Sequence, residues 1–534
     1  MCVMKKGLAL LLAGVLSVGL VGCGGGSKGE NGTSSGTATQ SSASSKTDKD
    51  TLVILGSENW QSTLSPLNHT STCMLHAEAL SLDHLLKMDE EKQEPQPWLI
   101  TEWSYDDTQT VLTCKVKEGV KFHDGTDFTA EDAAASCEAY SSSDNVSGSW
   151  WADSLECEVI DDYTFTITPS SGKPLGSLVN MLCSTPAMSA DDLASPETTL
   201  DVRYNGTGPY KFVKLENDCA YYDVNEDYWA GAYAMKHVQY KYVADSTTRL
   251  NALMAGEADI IERADSDTVD TLKSDGNCEV VTFLTTEIKH LIPKFEVEPM
   301  NEKLVRKAIA YAIDYDGIVN DILNGYAEKT DSFISSTIWG YSPVEGVGEY
   351  NVEKAKELLK EAGYENGQGL SDLTIYTSVG FYPKTKEYYE YICANLQAIG
   401  INCTCVPIDT SAWSDLLYEA VPTDSNGTCY MIDCGWQPSG IEPELKLNSW
   451  YAEGRISHYQ PTAELQDIMS RFAVETDADA RKKILQEEYL PALAEEMPDI
   501  PLFKSMAIYG VRKNVKGLAF TSGADFDLSN VTKE

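Results

Sequence analysis

The segment KVKEGVKFHDGTDFTAEDA, residues 115–133, has the pattern of a strand, a turn and the beginning of a helix. Alternating side chains predict a strand that ends at His123, and the Asp-Gly dipeptide after it is typical of a tight turn. Thr129 is well placed to cap a helix, and Asp132 stands at the third helical position, where it partly imitates a capping box. A His-Asp pair also occurs in active sites, but no nucleophile or third ligand is adjacent here. We therefore interpret the segment as scaffold.

Around this segment, the first half of the chain mixes strands and helices. TLVILG (51–56) predicts an opening strand, and apolar residues at helical spacing predict a helix from Thr72 to Met88. Two further strands are predicted by TFTITP (164–169) and YKFVKL (210–215). The segment TTRLNALMAGEADII predicts a helix that ends at Gly256 and is followed by a strand.

Beyond residue 300, predicted helices and strands alternate. A helix with one apolar face is predicted from Glu302 to Leu323, and Asn351 is placed to cap another. The alternation continues with a strand at 373–379, a helix at 384–399, a strand at 401–408, a helix at 411–420 and a strand at 429–436. Repeated alternation indicates a largely parallel sheet with helices on both faces. The closing residues 500–520 revert to strands and turns and are expected to pair with the first half.

The N-terminus has the pattern of a bacterial lipoprotein signal. Two lysines precede an apolar run, residues 8–21, which is shorter than the roughly 20 apolar residues that span a bilayer. The run ends in Leu-Val-Gly-Cys, which resembles a lipobox, so residues 1–22 are expected to be removed and Cys23 to carry lipid. Residues 23–50 are rich in Gly, Ser and Thr and are expected to form a flexible linker. The predicted location is extracytoplasmic, in the periplasm or on the outer face of a Gram-positive membrane.

Charge restricts the classes of binding partner, and length indicates the number of domains. The chain has 41 basic and 82 acidic residues, and its formal net charge is −41. No basic stripe is present to neutralise phosphates, which excludes a nucleic-acid partner, and the negative charge leaves membrane contact to the lipid anchor. The roughly 480 residues after the linker exceed what one hydrophobic core usually serves, so two or more domains are expected.

Cysteines and histidines give no catalytic or metal-binding pattern. Twelve of the 14 cysteines lie in the body of the chain, with no Cys-x-x-Cys pair. Disulfides are permitted outside the cytoplasm, but their connectivity cannot be read from the sequence. The seven histidines lack metal-ligand spacing, and the one Gly-x-Ser-x-Gly match, residues 32–36, falls in the linker. We therefore expect no enzyme activity, no metal and no cofactor.

Six segments resemble those of a known family, in the same order along the chain. They are residues 115–133, GTGPYKF (206–212), NEDYWAG (225–231), LNALMAGEADI (250–260), VRKAIAYAIDYDGIV (305–319) and AKELLKEAGY (355–364). Together with the lipobox, they are similar to the extracellular solute-binding proteins, family 5, of ABC importers. That family includes dipeptide-, oligopeptide- and nickel-binding proteins.

The resemblance implies an α/β fold of two lobes, similar to periplasmic binding proteins with an enlarged first domain. A mixed α+β lobe I would comprise residues 51–287 plus 500–534, with a subdomain at about 75–195. An α/β lobe II would comprise residues 288–499. The implied function is that of a monomeric lipoprotein that captures an extracellular oligopeptide or dipeptide between the lobes and delivers it to a permease with its ATPase.

Two alternatives remain open. The same fold could bind a non-peptide solute, such as a glycan, a nickel chelate or another organic molecule. It could also serve a lipoprotein that senses a peptide without transporting it.

Solute contacts are expected on loops at strand ends, where the two lobes would face each other. Three segments qualify: GSENW (56–60), SSTIWGYSP (335–343) and CGWQPSGIEP (434–443). The candidate ligand-binding residues in them are Glu58, Asn59, Trp60, Trp339, Tyr341, Trp436, Gln437 and Glu442.

The third segment departs from the family pattern. Peptide-binding relatives resemble one another in placing an aspartate shortly after this Gly-Trp pair, where it pairs with the ammonium group of the peptide. Here Gln437, Pro438 and Ser439 follow Trp436. Glu442 and Glu58 are candidate replacements for the aspartate. A blocked peptide, a glycan or another organic solute therefore stays among the expected ligands.

Overall fold

The computed structural model describes residues 48–534 with several gaps. The gaps are residues 59, 61–63, 70–71, 90, 196–201, 379–381, 383, 419–428, 437–439, 441, 454–458 and 522–524. The predicted leader and Cys23 lie outside the described residues. Within the described part of the chain, no helix is both long enough and apolar enough to cross a membrane.

Strands occur along the whole described chain. In chain order they are β1 (Thr51–Gly56), β2 (Lys87–Asp89), β3 (Glu94–Gln96), β4 (Ile100–Tyr105), β5 (Leu112–Val116), β6 (Leu155–Asp161), β7 (Thr164–Pro169), β8 (Tyr210–Glu216), β9 (Cys219–Val224), β10 (His237–Tyr242), β11 (Ile260–Ile261), β12 (Cys278–Pro293), β13 (Ala327–Lys329), β14 (Leu373–Ser378), β15 (Cys403–Ile408), β16 (Cys429–Trp436), β17 (Ile500–Arg512), β18 (Val515–Lys516), β19 (Ala519–Phe520), β20 (Phe526–Asp527) and β21 (Thr532–Lys533).

Helices are concentrated in the second half. In chain order they are α1 (Thr72–Ala79), α2 (Ala130–Ser141), α3 (Leu178–Leu182), α4 (Ala190–Leu193), α5 (Ser246–Ala255), α6 (Val269–Ser274), α7 (Lys303–Ala312), α8 (Tyr315–Gly317), α9 (Val352–Glu361), α10 (Thr385–Ala398), α11 (Thr410–Tyr418), α12 (Pro443–Tyr451), α13 (Ala463–Val474), α14 (Ala478–Ile484) and α15 (Leu490–Glu496).

One large sheet runs through the molecule in the order β15-β14-β16-β12-β17-β11-β1-β10-β9-β8. The pairs of β14 with β15 and with β16 are parallel, as the alternation of helices and strands predicts. The long antiparallel strands β12 and β17 stand at its centre. Strand β17 also pairs with β11, so the prediction that the closing segment returns to the first half is confirmed.

The apolar side chains form separate cores. A large core is built from residues 291–503, and a second one, mostly from residues 67–188, lies around the antiparallel sheet β4-β5-β7-β6. Two smaller cores combine β1 and its neighbouring strands with residues of β12, β17 and the closing segment. Separate cores are the expected result for a chain of this length.

The segment at residues 115–133 folds largely as predicted. Gly125 takes a left-handed φ of 94° in the turn, and Thr129 caps α2 in a capping box with Asp132. The strand is shorter than predicted, because β5 ends at Val116 and a turn with a left-handed Gly119 (φ 77°) follows.

His123 and its neighbour attach this segment to the GTGPYKF segment. The main-chain amide of His123 donates to the Gly206 carbonyl at 2.9 Å, and its ring Nε2 lies 2.9 Å from the Gly208 carbonyl oxygen. Asn205 Nδ2 donates to the Asp124 carboxylate at 3.0 Å. Burial lowers the pKa of His123. These contacts support the scaffold interpretation of the His-Asp pair.

The predicted helix from Thr72 to Met88 is wrong in length, since α1 ends at Ala79. The carbonyl of Leu80 accepts from the Tyr210 amide, and that of Ser81 accepts from the Gly208 amide, each at 2.9 Å. These long-range bonds use the carbonyls that would continue the helix, and helical spacing of apolar residues cannot reveal them.

The helix predicted from Glu302 to Leu323 is interrupted. Helix α7 ends at Ala312, and the Asp314 carboxylate caps α8 by accepting from the Gly317 amide at 3.0 Å. A cap at this position starts a new helix, although the apolar stripe continues on both sides.

Candidate functional site

Four charged side chains connect the ends of first-half strands with the crossing strand β12. Glu58, which follows β1, pairs with Arg263, which follows β11, at 2.6 Å. Within β12, Lys289 pairs with Glu287 at 2.8 Å. The Glu287 carboxylate also acts electrostatically on Arg263. We call these four residues the ion-pair row.

Attraction between members of the ion-pair row opposes the effect of burial on their pKa values. Burial lowers the pKa of Lys289, and the Glu287 carboxylate opposes this shift. Burial would raise the pKa of Glu287, but the Lys289 ammonium holds that pKa below its usual value. Burial would lower the pKa of Arg263, but Glu58 and Glu287 reverse the shift and raise it.

The backbone at Arg263 is strained. Its φ is 46°, in the left-handed region that residues with a side chain rarely adopt. Strain of this kind costs of the order of 1–3 kcal/mol and is often found at ligand-binding positions.

The end of β16 lies against the ion-pair row. The Gly435 amide donates to the Tyr382 hydroxyl at 3.0 Å, and that hydroxyl donates to the Gly435 carbonyl at 3.0 Å. The Tyr382 ring packs against the Lys289 ammonium. A Cβ at Gly435 would meet the ends of the Glu287 and Lys289 side chains, so the absence of a side chain at Gly435 permits this close approach.

Asp433 is buried in β16, two residues before Gly435. Its carboxylate accepts from Trp413 Nε1 at 2.7 Å, from the Ser378 amide at 3.2 Å and from the Thr377 hydroxyl at 3.2 Å. Burial raises the pKa of Asp433 to about 6.

We predict that Asp433 makes the stability depend on pH between about 4 and 6. Because the pKa is raised in the folded state, the native protein binds the proton more tightly than the unfolded chain. Protonated Asp433 therefore stabilises the folded protein at pH 4, and this stabilisation is lost as the pH rises through 6. Wild type should lose about 2 kcal/mol relative to Asp433→Asn between pH 4 and 6, measured by urea unfolding. Parallel pH profiles for the two proteins would contradict this expectation.

The first predicted loop contributes one residue to the ion-pair row, namely Glu58. Trp60 donates from Nε1 to the Asp218 carbonyl at 3.0 Å and stands edge-on to the Tyr240 ring at 5.7 Å. Its indole is thus engaged in packing. Asn59 lies outside the described residues.

The second predicted loop lies deeper than expected. Trp339 is 9% exposed and belongs to the large core, with the Arg481 guanidinium 5.3 Å from its ring. The Tyr341 hydroxyl donates to Asp331 at 2.6 Å, and the Lys504 ammonium lies 4.7 Å from the Tyr341 ring. Both aromatic side chains therefore contact the protein extensively, and a solute contact stays a prediction.

The third predicted loop begins where β16 ends. Trp436 is paired with Ile288 of β12 through the main chain. The Trp436 side chain and Gln437 lie outside the described residues, so their role as ligand contacts stays a prediction.

Glu442 is buried and fully engaged with the protein. Its carboxylate accepts from Arg481 at 2.9 and 2.7 Å, from Asn180 at 2.7 Å and from the Glu444 amide at 2.9 Å, which caps α12. These bonds give the carboxylate a structural function, and a solute would have to break them to reach it.

Two small cavities are found among the described residues, each with room for about one water molecule. One is lined by Thr286, Ile288, Ile334, Ser335, Ile338, Glu442, Pro443 and Lys446. The other is lined by Leu75, Glu78, Ala79, His84, Tyr140, Ser184 and Asp525. Among the residues that the structure describes, no group of three or more His, Cys, Asp and Glu could hold a metal ion.

Sequence reasoning missed Arg263, Glu287, Lys289 and Tyr382. A signal exists for two of them, since Glu287 and Lys289 are charged residues inside the long strand β12, and buried charges are rare without a partner. For Arg263 and Tyr382 we find no comparable signal in the sequence.

Comparison with known proteins agrees with this architecture. A sequence model of the bacterial extracellular solute-binding proteins, family 5 Middle, matches residues 94–458. Heme-binding protein A of Haemophilus influenzae is 26% identical over 465 residues, which cover 82% of this chain and 83% of that protein. The dipeptide-binding protein of Escherichia coli K12 is 23% identical over 469 residues, which cover 82% of this chain and 86% of that protein.

A solved structure gives the same fold. The periplasmic binding protein DppA of Helicobacter pylori, in complex with the peptide STSA, is similar with a TM-score of 0.73 at 24% identity, covering 91% of this chain and 98% of that one. The expected bilobed α/β fold is therefore confirmed. The family and these relatives are substrate-binding proteins, so the expectation that the chain is not an enzyme is also confirmed. Because the family match spans more than half of its length, the chain belongs to the bacterial extracellular solute-binding proteins of family 5.

Proposed function

We propose that this protein captures an extracellular oligopeptide or dipeptide and delivers it to a membrane permease and its ATPase. The observation that carries the proposal is the ion-pair row, which joins the ends of β1 and β11 to β12 and to Gly435. A peptide carries both an ammonium and a carboxylate group. The row offers two carboxylates and two cations with which such a molecule can exchange partners.

The proposed lobes are residues 51–287 plus 500–534, with a subdomain at about 75–195, and residues 288–499. The separate cores support this division, because the largest of them is drawn from residues 291–503. Closure of the lobes would enclose the solute and present the closed form to the permease as a monomer. A solute drives closure only through its preference for the closed state, and moving the ratio from 1:99 to 99:1 takes about 5.5 kcal/mol.

The predicted contact residues are proposed to have different roles. Glu58 belongs to the ion-pair row and is proposed to touch the solute, as are Asn59, Trp436 and Gln437 at the strand ends. Trp60, Trp339 and Tyr341 are proposed to form the walls behind them. Glu442 is proposed to hold the third loop in place through Arg481, because its oxygens are already bonded.

The solute can be identified by native mass spectrometry of a soluble Cys23→Ser variant. Tryptic casein digest, heme and Ni(II) with L-histidine are the probes, offered separately. We expect intact peptides from the digest to remain bound to the protein, with unchanged masses. Retention of heme or the nickel chelate alone would replace the peptide by a non-peptide solute, and retention of none of the probes would overturn the proposal.

We predict that Trp436→Ala weakens the binding of the retained peptides at least tenfold while the thermal stability stays within 2 °C of wild type. A tenfold loss corresponds to about 1.4 kcal/mol, less than the full burial of an aromatic side chain contributes. Isothermal titration measures the affinity. Tyr350→Ala is the matched control, because this aromatic side chain is 52% exposed and lies outside the candidate loops. Equal affinities of both variants would assign Trp436 to packing.

We also propose that Cys23 anchors the protein to the membrane from the extracytoplasmic side. Metabolic labelling with a fatty-acid analogue should mark wild type and leave Cys23→Ala unlabelled. A labelled Cys23→Ala protein would contradict the lipobox.

Uptake distinguishes the importer from a lipoprotein that only senses peptides. A strain without this protein should lose uptake of a bound, radiolabelled peptide, and re-expression should restore it. Unchanged uptake would favour the sensor.

A further inference from the structure

Two buried thiols lie in direct contact beneath helix α10. Cys393 is in the middle of α10, and Cys403 is the first residue of β15, ten positions later. Their Sγ atoms are 2.8 Å apart, and both side chains belong to the large core. The two residues sit on elements that pack against each other.

We propose that Cys393 and Cys403 form a disulfide bond when the chain folds in an oxidising environment. Nothing in this inference depends on the identity of the solute. It requires only that the protein fold where thiols can be oxidised, as is the rule for proteins outside the cytoplasm.

The reaction is a thiol–disulfide exchange with a disulfide-bearing oxidant. The thiolate of one cysteine attacks the oxidant, which forms a mixed disulfide and releases one thiol. The thiolate of the other cysteine then attacks the protein sulfur of that mixed disulfide, which forms the Cys393–Cys403 bond and releases a second thiol. Two protons leave the protein, and its two electrons reduce the oxidant.

A third thiol nearby makes the pairing testable. Cys405 lies two residues after Cys403 on the same face of β15, and its side chain is half-buried. It is the natural competitor for a bond with Cys393. The contact distance favours Cys403, because the 2.8 Å approach is made by the Cys393 and Cys403 sulfurs.

The bond would fasten the terminal strand of the large sheet. Strand β15 ends the sheet and pairs with β14 on one side. The connection from α10 turns at Gly400, whose φ is 94°. A crosslink across this short loop restricts the unfolded chain and should raise the melting temperature by about 5 °C.

Burial also predicts when the bond forms. Exchange needs a thiolate that the oxidant can reach, and both sulfurs are inaccessible once the core has closed. The bond should therefore form readily during folding and slowly in protein that has folded reduced. At the same oxidant concentration, we expect oxidation to be at least tenfold faster during refolding.

The test uses the Cys23→Ser chain, unfolded with reductant and refolded in a buffer of reduced and oxidised glutathione. Peptide mapping without reduction should yield the linked peptides of Cys393 and Cys403. The oxidatively refolded protein should have a higher melting temperature than the same protein after reduction. The chain that also has Cys405→Ser should show the same difference. The double variant Cys393→Ser, Cys403→Ser should show no such difference.

Full alkylation of Cys393 and Cys403 after oxidative refolding would overturn the proposal. So would a dominant bond to Cys405. A melting temperature that does not respond to reductant although the linked peptides are present would overturn the expected stabilisation by this bond. Peptide mapping of the otherwise wild-type chain decides the question even if the double variant does not fold.

Discussion

Replacing Arg481 with methionine should reduce the free energy of unfolding by about 3–5 kcal/mol. The Arg481 side chain is 1% exposed and donates to Glu442 at 2.9 and 2.7 Å and to Glu444 at 3.2 Å. Methionine has similar length but no charge. The variant therefore leaves two carboxylates buried without their cation, which is the costly way to break a buried ion pair.

The matched control is Arg471→Met. Arg471 also pairs with two carboxylates, Asp467 at 3.0 Å and Glu488 at 2.6 Å, but its side chain is 43% exposed. Exposed pairs contribute about 0–1 kcal/mol. Urea unfolding of both variants should separate them clearly. If Arg481→Met lost as little unfolding free energy as Arg471→Met, Arg481 would be dispensable for holding α12 and α14 together.

Gly206→Ala should strongly destabilise the protein. A Cβ at Gly206 would overlap the main-chain carbonyl of Ser81, which cannot move without breaking its bond to the Gly208 amide. Forcing atoms into a packed site typically costs about 1–3 kcal/mol and more where backbone must shift. We expect a loss of about 3 kcal/mol or more, measured by urea unfolding.

Gly276→Ala provides the comparison for that substitution. No atom lies within 4 Å of the position that a Cβ would take at Gly276. Alanine should therefore change the stability there by less than about 0.5 kcal/mol. A stable Gly206→Ala variant, with an unfolding free energy close to that of Gly276→Ala, would contradict the described packing of Ser81.

Local signals in the sequence predicted much of the fold. Asn351 caps α9 by accepting from the Lys354 amide at 3.0 Å, and Gly256 ends α5 with a left-handed φ of 78°. Each of these features involves residues close in sequence. The failed predictions, the helix beyond Ala79 and the uninterrupted helix through Asp314, are of two kinds. The helix ends at Ala79 because of long-range main-chain bonds. The helix through Asp314 is interrupted by a local cap that lies within an apolar stripe.

The candidate site could be predicted only in outline. The end of β16 and the loop after β1 are brought to β12 as the strand pattern suggests, and Glu58 joins the ion-pair row. Arg263, the ion-pair partner of Glu58, is about 200 positions away from it in sequence, and no spacing rule links the two residues. Aromatic residues were less informative, because a pattern cannot distinguish a tryptophan in the core, such as Trp339, from one that meets a solute.

Small-angle X-ray scattering of the Cys23→Ser chain tests the central claim most directly. One sample would be stripped of solute by unfolding and refolding, and the other saturated with peptides from the casein digest, with occupancy checked by native mass spectrometry. Capture between two lobes predicts a smaller radius of gyration in the saturated sample. Identical scattering at full occupancy would contradict closure over the solute.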